Sequence, residues 1–156
     1  DSTDYVIRSL PLEQIVKPAV RKYAPMFISK KLSLEMSSLT ATVLTDEKWA
    51  QFIVEQILSN SLKYTRTGSI RIWQKDPAAL VIEDTGIGID PADIPRLGER
   101  GFTGYNGRLD KKSTGIGLYL CKEISRRLSH TLTIESEPGK GTRVTIDFAT
   151  RQLQAE

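Results

Sequence analysis

Four short stretches of this 156-residue chain hold residues whose types and spacing could do chemistry. In VIEDTGIGID (81–90) an apolar run ends in a carboxylate, Asp84, followed by Gly86 and Gly88. A buried strand can end in an Asp that only caps the next turn, and glycines there can simply supply positive φ. Alternatively, the glycines let backbone approach a flat ligand while the carboxylate accepts a hydrogen bond from an exocyclic amine. Adenine presents that amine, whereas guanine presents a carbonyl at the same place. In EQILSNSLKYT (55–65), Gln56, Asn60 and Lys63 fall at i, i+4 and i+7 and share one helical face beside apolar neighbours. Asn60 can offer a neutral oxygen to Mg²⁺, and Lys63 can meet a phosphate as a point charge. In STGIGLYLCKEI (113–124), Gly115 and Gly117 open a helix whose free N–H groups and dipole favour an anion, although such glycine pairs are common by chance. Finally, EPGKGTRVTIDF (137–148) contains Gly-Lys-Gly-Thr, but it lacks the first glycine of a P-loop and runs into an alternating strand. A Rossmann reading fails as well, since neither glycine pair completes GxGxxG within a βαβ unit.

The elements that must position these residues follow from two hydrophobic periods. YVIRSL (5–10) reads as a strand, and LEQIVKPAVRKYA (12–24) as an amphipathic helix weakened by Pro18. Residues 32–38 and 40–45 read as a strand pair. Residues 46–63 form the strongest helix pattern, with Thr45 as its cap and Asp46 and Glu47 in its first turn. SIRIWQ and ALVIED (69–74, 79–84) flank a hairpin turn, 115–129 reads as a second long helix, and 131–148 as a closing hairpin. Helices alternating with paired antiparallel strands predict an α+β two-layer sandwich, a mixed and mostly antiparallel sheet packed on about three helices. The glycine-rich segment 98–114 has the character of a binding lid.

Length and 39% hydrophobic content fit one sizeable core. The single cysteine, Cys121, excludes an internal disulfide framework and reads as a core residue. No run approaches the roughly 18 apolar residues of a membrane span, and the chain opens without an initiator methionine, from which an excised fragment is expected. Residues 96–112 carry five basic and two acidic side chains, equal to the whole formal charge of +3. A basic excess confined to one segment, without a base-reading motif, argues against a nucleic-acid partner.

Together, in this order, the stretches resemble the ATP-binding (GHKL, or Bergerat) domain shared by sensor histidine kinases, gyrase-type topoisomerases, Hsp90-type chaperones and MutL mismatch-repair proteins. EQILSNSLKYT is similar to the N box, EDTGIGI to the G1 box, ERGFTGYNGR to an F box, STGIGL to the G2 box and GKGT to the closing glycine motif. NSLKYT and GFTGYNGR are most similar to bacterial histidine kinases, particularly those that sense cell-envelope antibiotics beside a transporter. The resemblance implies ATP and Mg²⁺ as cofactors, a Bergerat fold, and a catalytic domain over 1–150 followed by a tail, 151–156. It implies that Asn60 coordinates Mg²⁺, Lys63 contacts phosphate, Tyr64 packs near adenine and Asp84 accepts from its amine. Gly86 and Gly88 would let the loop approach the base, while Thr114, Gly115, Gly117 and Leu118 would open the phosphate-binding helix. Arg100 or Arg108 of the lid would cover the phosphates, and Thr142 would support Asp84.

Two residues depart from the family pattern. ATPases of this superfamily often carry a Glu four residues before the Mg²⁺ Asn to activate water; here Gln56 stands there, and Glu55 lies about 100° around the helix. Gln cannot act as a general base, so the departure counts against hydrolysis and not against phosphoryl transfer. The G2 box opens on Ser113 where the commoner pattern has Gly.

The implied activity is donation of the γ-phosphoryl group to a histidine on a separate dimerisation and phosphoacceptor domain, which a response regulator then relieves. His130, the one histidine here, reads as structural, so the acceptor lies elsewhere. The full protein would be membrane-anchored with this portion on the cytoplasmic side, and the fragment monomeric. The alternatives are a serine-directed kinase of the anti-sigma-factor type and a non-catalytic nucleotide-binding module.

Overall fold

The computed structural model describes residues 4–88, 92 and 116–149. Along them run β1 (Ile7–Pro11), α1 (Leu12–Lys30), β2 (Ser33–Met36), β3 (Thr42–Asp46), α2 (Glu47–Tyr64), β4 (Ser69–Lys75), β5 (Ala79–Asp84), α3 (Ile116–Arg127), β6 (Thr131–Glu137) and β7 (Gly141–Asp147). The large sheet has order β2-β4-β5-β7-β6, and β1 pairs with β3 in a separate two-stranded sheet. Only the β2-β4 pairing in the large sheet is parallel. The α+β architecture expected from the sequence is therefore observed.

Three local expectations need correction. Residues 32–38 and 40–45 do not pair with each other: β2 joins β4, and β3 joins β1. Adjacency in sequence misled here, because the connection is long enough for each strand to find a separate partner. The first helix does not stop near 24 but runs to Lys30 through Pro18 and Pro25. The prolines are seven residues, about two turns, apart and so share one face. That face flanks the buried one formed by Leu12, Ile15, Val16 and Ala19, with Pro18 half-buried and Pro25 exposed, so the lost backbone bonds fall at the solvent edge, where a helix can bend. Lys31, at φ 57°, closes the helix, with the Lys31 and Leu32 amides donating to the Ile28 and Phe27 carbonyls. The third correction is the cap of α2. Asp46, not Thr45, accepts from the Trp49 amide at 2.9 Å. The other Asp46 oxygen accepts from the Val6 amide at 2.7 Å, fixing the chain before β1.

Helix α2 lies in the middle of the helical layer, packed against α1 and α3. Its Ile53, Val54, Ile57, Leu58 and Leu62 are buried together with Ile70, Ile72, Leu80, Ile82 and Ile146 of the sheet. Cys121 is fully buried in this core, and burial pushes its thiol up to about 12. The opposite sheet face has its own pattern. Register aligns Glu35, Arg71, Glu83, Arg143 and Glu135 in one row across all five strands. Arg143 reaches Glu83 at 2.9 Å, and Arg71 reaches Glu83 at 3.4 Å and Glu35 at 3.8 Å.

Thr45 is fully buried and its hydroxyl meets His130 Nε2 at 2.7 Å. His130 is 5% exposed and packs edge-on against Phe148. Burial lowers its pKa to about 4, against weaker opposing effects of the Ser129 backbone and Asp147. A histidine held neutral in the fold contributes stability that is complete above its unfolded value of about 6.5 and is lost as pH falls through about 4. The shift of roughly 2.5 units corresponds to on the order of 3 kcal/mol. Urea unfolding followed from pH 7 to pH 4 is expected to show this loss, with a shallower slope for His130→Gln. Parallel pH profiles for the two proteins would show that His130 is not held neutral.

Candidate functional site

The strand β5 carries its apolar pattern up to a last residue that breaks it. Asp84 is 7% exposed and lies on the same sheet face as Leu80 and Ile82. Its Oδ1 accepts from the Gly86 amide at 2.9 Å and the Thr142 amide at 3.2 Å, and the Ser61 hydroxyl supplies a further hydrogen bond. Burial raises the Asp84 pKa; the donors from Gly86, Ser61 and Thr142 oppose the shift, and neighbouring Glu83 adds to it. Sequence reasoning missed Ser61. Its signal was a small hydroxyl residue, beside Asn60, on a helix face otherwise filled by core residues.

The loop after Asp84 is pressed against the end of α2. The Ile87 amide donates to the Tyr64 carbonyl at 3.1 Å. A Cβ on Gly86 would lie 2.5 Å from that same carbonyl and 2.9 Å from Asp84 Oδ1. On the other side the loop meets the β6–β7 turn, where the Gly139 amide donates to the Ile87 carbonyl at 2.8 Å. Gly88, at φ +79°, lies so close to the Glu137 carbonyl that a Cβ would come within 2.2 Å of it. Both glycines thus have packing reasons of their own, before any ligand is considered. A cavity of about 290 Å³ opens at the sheet end around the β6–β7 turn, lined by Asp84, Ser136 and Thr142 from the helix-facing side and by Glu83, Glu135 and Arg143 from the other face.

Gln56, Asn60 and Lys63 do share a stripe of α2. The stripe meets the start of α3, because a Cβ on Gly117 would fall 2.3 Å from Gln56 Oε1. Gly117 is therefore the residue that lets α3 approach α2 over the Gln56 amide. Asn60 is half-buried one turn farther along, and Lys63 is exposed at the C-terminal end. Tyr64 ends the helix, half-buried, and Leu118 is half-buried in the first turn of α3. Arg100, Arg108, Thr114 and Gly115, and the segment 98–114, lie outside the described residues. Among the described residues no group of three or more His, Cys, Asp or Glu could hold a metal.

Residues 45–152 match the family described as histidine kinase-, DNA gyrase B- and HSP90-like ATPase. The chain is 35% identical over 154 residues to the sensor histidine kinase YxdK of Bacillus subtilis, covering 95% of this chain and 47% of that protein. It is 42% identical over 109 residues to the sensor protein kinase GraS of Staphylococcus aureus strain JH1, covering 68% of this chain and 32% of that one. It therefore spans less than half the length of these relatives. Among solved structures, the catalytic domain of the histidine kinase ThkA superposes with a TM-score of 0.78 at 14% identity, over 93% of this chain and 96% of that one. At that identity the likeness concerns the fold.

The glycines of the closing turn separate two kinds of constraint. Gly141, at φ +124°, would place a Cβ 2.0 Å from the Asp84 carbonyl, whereas Gly139, at φ +83°, has nothing within 4 Å of its Cβ position. Gly139→Ala is expected to cost about 1–2 kcal/mol from backbone strain alone. Gly141→Ala should cost at least about 2 kcal/mol more, because backbone must move. Urea unfolding of the two variants measures the difference; equal losses would mean that Asp84 and Gly141 are not in close contact.

Proposed function

The chain belongs to the histidine kinase-, DNA gyrase B- and HSP90-like ATPase family, and from that membership we propose that it is the catalytic part of a two-component sensor kinase. In this reading it binds Mg-ATP and donates the γ-phosphoryl group to a histidine on a phosphoacceptor and dimerisation domain, from which a response regulator receives it. The similarity to YxdK and GraS supports the kinase assignment and the placement with the envelope-antibiotic-sensing group. It also supports a membrane-anchored whole protein with this portion at the cytoplasmic face. Among the described residues no helix is long and apolar enough to cross a membrane. We take residues 1–150 as one ATP-binding unit.

The observation that carries the reading is the buried Asp84 carboxylate, whose Oδ1 is held by two backbone amides. A carboxylate so fixed accepts a hydrogen bond from the adenine exocyclic amine with little reorganisation. Gly86 keeps side chains away from the base, and Tyr64 flanks it. Asn60 suits Mg²⁺ as a single neutral oxygen ligand, because this ion takes few protein ligands and completes its shell with phosphate oxygens and water. Bound there, Mg²⁺ would neutralise charge on the phosphates. Lys63 adds a point charge to the phosphates, and the amides at the start of α3, Gly117 and Leu118 among them, add the helix dipole. Arg100, Arg108, Thr114 and Gly115 belong to the same assignment by their place in the sequence motifs. Gln56 serves as packing beneath the site and supplies no base.

Calorimetric titration with ATP and GTP, with and without Mg²⁺, tests the base reading. ATP is expected to bind with Mg²⁺ assistance, GTP far more weakly, and Asp84→Ala to lower ATP affinity by about 100-fold. Because its pKa is raised, Asp84 gains a proton at higher pH than an ordinary carboxylate, so ATP affinity should fall as pH drops into that range. Equal binding of ATP and GTP, or a neutral Asp84→Ala, would reduce Asp84 to a turn cap. Addition of a matched acceptor hairpin and ATP labelled in the γ-phosphate should yield acid-labile phosphohistidine. Acid-stable phosphoserine would instead identify the serine-directed kinase, and binding without transfer a nucleotide-binding module.

A further inference from the structure

Strand register sets three polar side chains in one row on the helix-facing side of the sheet. Asp84 of β5 faces Thr142 of β7, and Thr142 faces Ser136 of β6. The next rows inward are apolar: Ile82, Val144 and Ile134, then Leu80, Ile146 and Leu132. The polar row is the last of these rows at this end of the sheet, and its three residues also line the cavity there, together with Glu83, Glu135 and Arg143 of the other face.

The protons in this row can be assigned by elimination. The Ser136 hydroxyl lies 2.8 Å from the Gly141 carbonyl and 2.8 Å from the Thr142 hydroxyl. A carbonyl oxygen only accepts, so the single Ser136 proton belongs to the Gly141 contact. The bond between the two hydroxyls must then be donated by Thr142. With its only proton committed to Ser136, Thr142 Oγ1 offers nothing but lone pairs to a ligand. Without Ser136 that hydroxyl rotor would turn either way.

We propose that Ser136 is a positioning residue for base selection, locking the Thr142 hydroxyl as an acceptor so that Thr142 and Asp84 together face the ligand with acceptors only. Such a pair welcomes a 6-amino purine, directly or through a water that donates to both, and repels a 6-oxo purine, whose oxygen would meet lone pairs. The inference rests on the nucleotide-binding reading above and adds a second component to its selectivity. Asp84 alone would disfavour the 6-oxo group; Ser136 prevents Thr142 from relieving the clash by donating.

The test is titration of the wild-type chain and Ser136→Ala with three triphosphates: ATP, inosine triphosphate with its 6-oxo group, and purine riboside triphosphate with hydrogen at that position. Wild type should prefer ATP to the inosine nucleotide, and Ser136→Ala should narrow that preference about tenfold while changing affinity for the purine nucleotide less than about twofold. Ser136→Thr, which keeps the hydroxyl, should restore the preference. In a Thr142→Val background, Ser136→Ala should leave it unchanged. A Ser136→Ala protein that weakens all three nucleotides equally would show that Ser136 only supports the hairpin, and an unaltered preference would show that Thr142 is not oriented by it; either overturns the proposal. If wild type binds no nucleotide at all, the ATP reading itself fails and this inference falls with it.

Discussion

Burial of the Asp84 carboxylate at the end of an apolar sheet face is the constraint on which the site depends. An ionised carboxylate in such surroundings costs several kcal/mol unless donors surround it. The donors come from three places: the Gly86 amide in the following loop, the Thr142 amide at the start of β7, and the Ser61 hydroxyl of α2. Satisfying one charge therefore fixes the relative placement of a loop, a strand and a helix. The glycines follow from the same closeness. Gly86 must fit between Asp84 and the Tyr64 carbonyl, and Gly141 must pass over the Asp84 backbone. A side chain at either position would push apart the groups that the carboxylate holds together.

The same logic makes α2 the organising helix. Its start is held by Asp46, which caps the first turn and anchors Val6, and the preceding Thr45 bonds the buried His130 across the core. Its middle is packed between α1 and α3, and its end is sewn to the loop through Tyr64. The far face of the sheet is solved differently. Beside its row of alternating charges, the Arg71 and Arg143 guanidinium groups lie over the Trp73 ring, next to buried Val81. Exposed ion pairs in such a row contribute only about 0–1 kcal/mol each, so their effect is compatibility with water more than stability.

Much of this was legible in the sequence because the periods are strong. The helical spacing of Trp49, Ile53 and Ile57, the alternation in β4 to β7 and the position of Asp84 after VIE all led to the observed elements. Partner choice was not legible. Nothing local tells β2 to prefer β4 over β3, since that depends on how α1 spans the sheet. Thr45 and Asp46 are both competent caps, and the decision came from His130, 85 residues away, which takes the Thr45 hydroxyl. Ser136 had no signal at all until register placed it beside Thr142. The prolines of α1 misled for a related reason: their cost depends on which face they occupy, and the pattern showed only their presence.

Gln56 connects the packing to the choice between hydrolysis and transfer. Its side-chain oxygen sits over Gly117, where a Cβ would come within 2.3 Å and make the Gln56 amide shift. The nearest carboxylate on the helix, Glu55, is about a quarter-turn away and is engaged by Lys22 at 3.1 Å and Gln51 at 2.9 Å. Neither residue is poised to take a proton from water beside the phosphates. A base beside the attacking water assists hydrolysis by taking the proton that water loses. A neutral imidazole needs no such base: it attacks through a nitrogen lone pair that is already free. In the reading proposed above, an ATP site without such a base would favour transfer to a histidine over hydrolysis, because the imidazole lone pair needs no deprotonation.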